Sequence, residues 1–120
     1  KNLYREEIIL SNGHYTQKAL ELFKQDPHVQ AALNSRVSPE IAKALGESIE
    51  ELEYRTLIEL FRQRADLDNT DTLRLALDMV ATPQQKKQAL AQYHEDTANA
   101  LGISLDEYLK IHHQFKAEIE

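Results

Sequence analysis

The chain has no cysteine, and only three glycines and three prolines in 120 residues. Without cysteine, disulfides and thiolate metal sites are excluded, and nothing marks an oxidising compartment. So few turn-formers argue against an all-β chain, which needs many reversals, and favour long helices. No apolar run approaches the ~20 residues that a membrane-spanning helix requires, so no membrane partner is expected and the default location is the cytoplasm. Gly-x-Ser-x-Gly, a glycine-rich phosphate loop and His-Glu-x-x-His are all missing. Each is a spacing that chemistry demands, so no catalytic residue is assigned, no cofactor is expected, and the chain reads as non-enzymatic.

What is present is helix-forming. Ala, Leu, Glu, Lys and Gln dominate, and hydrophobic residues make up 42% of the chain, enough for one core. The expected fold is all-α, a compact bundle of six to seven helices with short capped turns. We expect one domain over residues 1–120, with residues 1–13 as a loosely docked N-terminal segment. The net charge is −6. That sign opposes binding to nucleic acid and to anionic membranes, and it favours a basic protein partner.

Local signals place the helices. Ser11-Asn12-Gly13 reads as a break after a short first helix. Residues 15–25 follow with Ala19, Leu20 and Phe23 at helical spacing. Asp26-Pro27, Ser38-Pro39 and Thr82-Pro83 each pair an N-cap residue with proline at the first helical position. Ser48 with Glu51, Thr82 with Gln85 and Ser104 with Glu107 have the spacing of capping boxes. The helix from Ser48 to about Asp66 carries apolar residues on more than one stripe, so it is expected to sit centrally. Leu73–Val80 reads as a mostly buried helix, a strand being possible on length alone. Leu90, Tyr93, Thr97 and Leu101 form the expected inner face of the helix over 83–101. The last helix, 105–119, is expected to turn Leu105, Tyr108, Leu109, His112, Phe115 and Ile119 inward. Tyr15, Tyr54, Tyr93 and Tyr108 all lie beside apolar faces, where packing is the default role.

One phrase occurs twice, as Ala42-Lys-Ala-Leu-Gly46-Glu-Ser48-Ile-Glu-Glu51 and Ala98-Asn-Ala-Leu-Gly102-Ile-Ser104-Leu-Asp-Glu107. Each copy reads as a helix end, a glycine stop and a new capped helix. The second copy also fits a helix-turn-helix, through Ala98, Leu101, Gly102, Ile103, Tyr108 and Ile111, and a DNA-binding regulator using residues 94–116 is the alternative function. Its contacts would be Lys110, His113, Gln114 and Lys116. Asp106 and Glu107 stand at the end meant to approach phosphates and oppose that reading.

Among five histidines no pair has the spacing of two ligands on one helix. If helices 83–101 and 105–119 form an antiparallel hairpin, His94 and His112 lie equally far from the turn and can meet. That makes them the only candidates for a metal or small-ligand site, a second alternative, and two histidines are too few for a zinc site. The Asp68–Asp71 loop lacks the glycine and closing glutamate of a calcium loop. The carboxylates remain as a surface. Glu47, Glu50, Glu51, Glu53, Asp66, Asp68 and Asp71 are the residues expected to meet a basic protein, as in small acidic adaptors and immunity-type inhibitors.

Two further stretches carry a family likeness. His14-Tyr-Thr-Gln-Lys-Ala-Leu-Glu-Leu-Phe23 with the Pro27 restart, and Tyr93-His-Glu-Asp-Thr-Ala-Asn-Ala-Leu-Gly-Ile-Ser-Leu-Asp-Glu-Tyr108, resemble a family of small, uncharacterised bacterial helical proteins. In that family a similar Ala-Leu-Gly-x-Ser-x-x-Glu-Tyr phrase closes the chain. The likeness spans residues 14–110. It implies a bacterial, cytoplasmic, all-α protein and carries over no catalytic residue.

Overall fold

The structure, a computed structural model, describes the backbone of residues 3–120 and the side chains of residues 13–120. The docking of segment 1–13 lies outside the described residues, apart from its helical backbone from Leu3 on. Eight α-helices form, and no strand is found among the described residues. They are α1 (Leu3–Lys24), α2 (Pro27–Arg36), α3 (Pro39–Leu45), α4 (Ile49–Leu67), α5 (Thr72–Val80), α6 (Pro83–Leu101), α7 (Leu105–Ile111) and α8 (Lys116–Ile119), with a 3-10 turn at His113–Phe115 before α8. The fold is all-α.

Most of the starts and stops follow from local chemistry. Asp26, Ser38, Ser48, Thr82 and Ser104 each accept a backbone N–H in the first turn of their helix. The three capping boxes all close, with Glu51, Gln85 and Glu107 reaching back to the cap N–H. Ser11-Asn12-Gly13, in contrast, does not break the chain, because α1 runs straight through it. One interior glycine costs a helix only ~1 kcal/mol relative to alanine, too little to stop 22 residues.

The chain groups into two compact units. The first is residues 13–80. Its core gathers Ala19, Leu20 and Phe23 of α1, Val29 and Leu33 of α2, Leu57 and Phe61 of α4 and Ala76 of α5. Phe23 and Phe61 meet edge to face at 5.2 Å, which adds about 0.5–1.5 kcal/mol to their burial. Arg64 lies over the Phe23 ring at 5.8 Å. Helix α4 is central in this unit, touching α2, α3 and α5. Thr56, buried on α4, gives its hydroxyl proton to the Leu52 carbonyl at 2.7 Å, so that hydroxyl is not left stranded. Ile49 and Tyr54 do not join the core, being about half exposed.

The second unit joins residues 1–12 to residues 81–120, and its described side chains are those of 81–120. Here α6 packs against α7 and α8. The buried residues of α6 are Ala89, Leu90, His94 and Ala98, while Tyr93 is 40% and Leu101 60% exposed. The inner face is therefore rotated by one residue from the one that Tyr93 and Leu101 would define. Small alanines let helices approach closely, and a buried histidine can replace a leucine when both ring nitrogens find partners.

The two copies of the repeated phrase build the same corner. Ala42 and Ala98 are buried, and Gly46 and Gly102 take left-handed φ of 73° and 75°. The N–H after each glycine reaches the carbonyl of Ala42 or Ala98, and each glycine N–H reaches that of Lys43 or Asn99. This is the Schellman pattern twice. The loop after α4 repeats it with Asn69 at φ 56°, Thr70 N–H bonding the Ala65 carbonyl and Asn69 N–H that of Asp66. Asp71 then caps α5 by accepting from the Arg74 N–H at 2.9 Å.

Candidate functional site

Two places gather polar side chains, one in each unit. In the unit containing α6, the last helix does not run on to residue 119. It stops at His112, where φ −116° and ψ 58° turn the backbone out of helical geometry. The 3-10 turn and α8 then fold back along α6. That return brings Glu118 Oε1 to 2.8 Å from His94 Nε2, while the Tyr108 hydroxyl lies 3.0 Å from His94 Nδ1. His94 is completely buried, and Phe115 stacks on its ring at 4.4 Å.

The hydrogen-bond inventory fixes how this group works. An ionised Glu118 can only accept, so Nε2 carries a proton and donates it. Neutral His94 then accepts from the Tyr108 O–H at Nδ1. Both ring nitrogens thus have partners, which suits a structural tie between α6, α7 and α8. His112 does not complete a site with His94. It packs on Tyr108 at 4.9 Å and on Phe115 at 5.7 Å, so the two histidines share aromatic neighbours. Among the described residues no group of three His, Cys, Asp or Glu side chains is placed to hold a metal ion.

The helix-turn-helix residues are scattered by the same backbone turn. Helix α7 has seven residues, about 10 Å of length, and Lys110 lies in its last turn. His113 and Gln114 belong to the 3-10 turn and Lys116 opens α8, so the four lie on three elements. Leu101 and Ile111, which that motif would pack inside, are 60% and 68% exposed.

The acidic residues are placed at the two ends of α4. Glu50 and Asp66 lie about 24 Å apart along the axis at ~1.5 Å per residue, so they do not form one patch. Several are spent on structure. Arg55 donates from Nε and Nη2 to both oxygens of Glu47 at 3.0 and 2.7 Å, and these bonds hold the Glu47 carboxyl below the usual range. Glu51 closes the α4 capping box, and Asp71 caps α5 and pairs with Arg74. Glu53 accepts from Lys24 Nζ at 2.8 Å. Glu50, Asp66 and Asp68 are exposed and carry no ion pair among the described residues.

Glu50 and Glu53 also line a groove that the sequence did not announce. Helix α1 contributes Gln17, Leu20, Glu21 and Lys24, and α4 contributes Glu50, Glu53, Tyr54 and Leu57. Each set is spaced i, i+3, i+4, i+7, one face of a helix. Leu20 and Leu57 are core residues, 3% and 6% exposed, and give the groove an apolar floor. Tyr54, 51% exposed, stands at its wall. The groove encloses about 260 Å³, smaller than the ~300–1,000 Å³ of sites that enclose a small molecule.

No helix among the described residues is long and apolar enough to cross a membrane. No curated protein and no solved structure matches the chain. A family model matches residues 10–114, and the chain accordingly belongs to a family of unknown function, DUF6388.

Proposed function

We propose that this chain is a non-enzymatic protein-interaction module that recognises a basic partner through the acidic start of α4. One observation carries the reading: Glu50 lies with Glu21 and the half-exposed Tyr54 along an open groove with an apolar floor. Charged rims around apolar contact area are what transient protein interfaces use, and tyrosine is enriched where such surfaces bind. The net charge of −6 steers a basic partner toward the surface and suppresses anionic ones. The carboxylates at 66 and 68 act at long range on the same encounter and lie too far along α4 to share the contact.

The test is capture. The protein is immobilised, exposed to extract from its source cell at low ionic strength, and eluted with salt. We expect one or a few basic proteins retained in fixed proportion and released as the salt rises. Recovery of none, or of a mixture unaffected by salt, overturns the reading.

A further inference from the structure

The lining of the α1–α4 groove is specific enough to say what enters it. Three carboxylates, Glu21 of α1 and Glu50 and Glu53 of α4, line it together with Gln17 and Lys24 of α1 and the Leu20–Leu57 floor. Lys24 neutralises Glu53 at 2.8 Å. The chain's own cation thus occupies one of the three, and Glu21 and Glu50 are left with no ion pair among the described residues. Two carboxylates beside an apolar floor attract an incoming cation.

The volume and the tyrosine narrow the choice. About 260 Å³ suits one long side chain better than a free ligand. Tyr54 is half exposed in the lining, and arginine stacks on a tyrosine better than lysine does, because its guanidinium is planar and weakly hydrated. The guanidinium also presents several N–H donors in one plane, which two separated carboxylates can share. Its methylenes cover the apolar floor while the head stays at the rim.

We propose that the groove is an arginine pocket: a partner protein inserts one arginine, which lies over Leu20 and Leu57, stacks on Tyr54 and pairs with Glu21 and Glu50. This rests on the interaction-module reading and gives that surface its anchor residue. Arginine is among the residues that concentrate binding energy at interfaces, which fits a groove sized for a single side chain.

Nuclear magnetic resonance titration tests it. The probes are a blocked pentapeptide, Gly-Leu-Arg-Leu-Gly, and the same peptide with neutral citrulline in place of arginine. The arginine peptide is expected to give saturable amide shifts confined to residues 17–24 and 50–57, and citrulline to abolish them. Tyr54→Ala is expected to weaken the arginine peptide by roughly two- to fivefold. Glu21→Gln and Glu50→Gln are each expected to weaken it by a similar factor. All three side chains are exposed, so the variants keep the fold, and amide spectra of the free proteins verify that. Equal shifts from both peptides, or shifts indifferent to all three substitutions, overturn the arginine pocket. Saturable shifts at residues 66–71 instead also overturn it, while leaving the interaction-module reading standing. No shift anywhere overturns the pocket, and salt-dependent capture then decides separately whether the surface binds a partner by other means.

Discussion

His94 and Glu118, twenty-four residues apart, are joined by a 2.8 Å bond between Nε2 and Oε1, and that bond returns the end of the chain to the middle of α6. Tyr108 holds the other nitrogen of the same imidazole, Nδ1. Replacing Tyr108 by phenylalanine leaves Nδ1 of a fully buried ring without its partner. The expected loss is about 1–3 kcal/mol of unfolding free energy, measured by urea denaturation. Glu118→Gln keeps an oxygen that can accept from Nε2, so it is expected to cost less than Glu118→Ala. No measurable cost for Glu118→Ala would show that the carboxylate does not hold His94.

The three glycines are expected to respond to one substitution with opposite signs. A Cβ at Gly13, Gly46 or Gly102 would meet no atom of the described residues within 4 Å, so packing among them does not enter. Gly46 and Gly102 have φ of 73° and 75°, where an L side chain is strained. Gly46→Ala and Gly102→Ala are each expected to destabilise by ~1–2 kcal/mol. Gly13 lies inside α1, where alanine is the better helix former. Gly13→Ala is expected to stabilise by roughly 0.5–1 kcal/mol. Thermal melts of the three variants provide the check.

Glu47 gives a pH dependence of known sign. The hydrogen bonds from Arg55, then the charge of that guanidinium, lower its pKa in the folded state. A carboxyl whose folded pKa lies below its unfolded one stabilises the fold above the unfolded value. That contribution disappears as pH falls through the folded value. Melting temperatures of the parent protein and Glu47→Gln are therefore expected to differ most near neutral pH and to converge in acid. The difference is small, because the pair is exposed to water. A gap that widens in acid would contradict the assignment.

The sequence announces its corners far better than its surfaces. Ser48 with Glu51, Thr82 with Gln85 and Ser104 with Glu107 are legible because capping is a contact over three residues. The break at His112 is not, since no proline or glycine marks it, and the contacts that hold the return, Glu118 and Phe115 on His94, are distant in sequence. The inner face of α6 is misread because Leu101 looks like core and His94 does not, whereas burial depends on partners supplied by Tyr108 and Glu118. The groove is illegible for a similar reason. Glu50 and Glu53 stand out as charges, but Gln17, Glu21 and Tyr54 acquire meaning only when α1 lies beside α4. Tyr54 in particular reads as a core residue and is half exposed.

The groove between α1 and the acidic start of α4 as the binding surface is the central claim, and charge reversal there tests it most directly. Once a basic partner has been captured, its affinity for the parent protein is compared with that for the double variant Glu21→Lys/Glu50→Lys, at two salt concentrations. The account predicts a loss of roughly tenfold or more at low salt, shrinking as the salt rises, with the folded spectrum unchanged. An affinity that is the same for both proteins at low salt would contradict it.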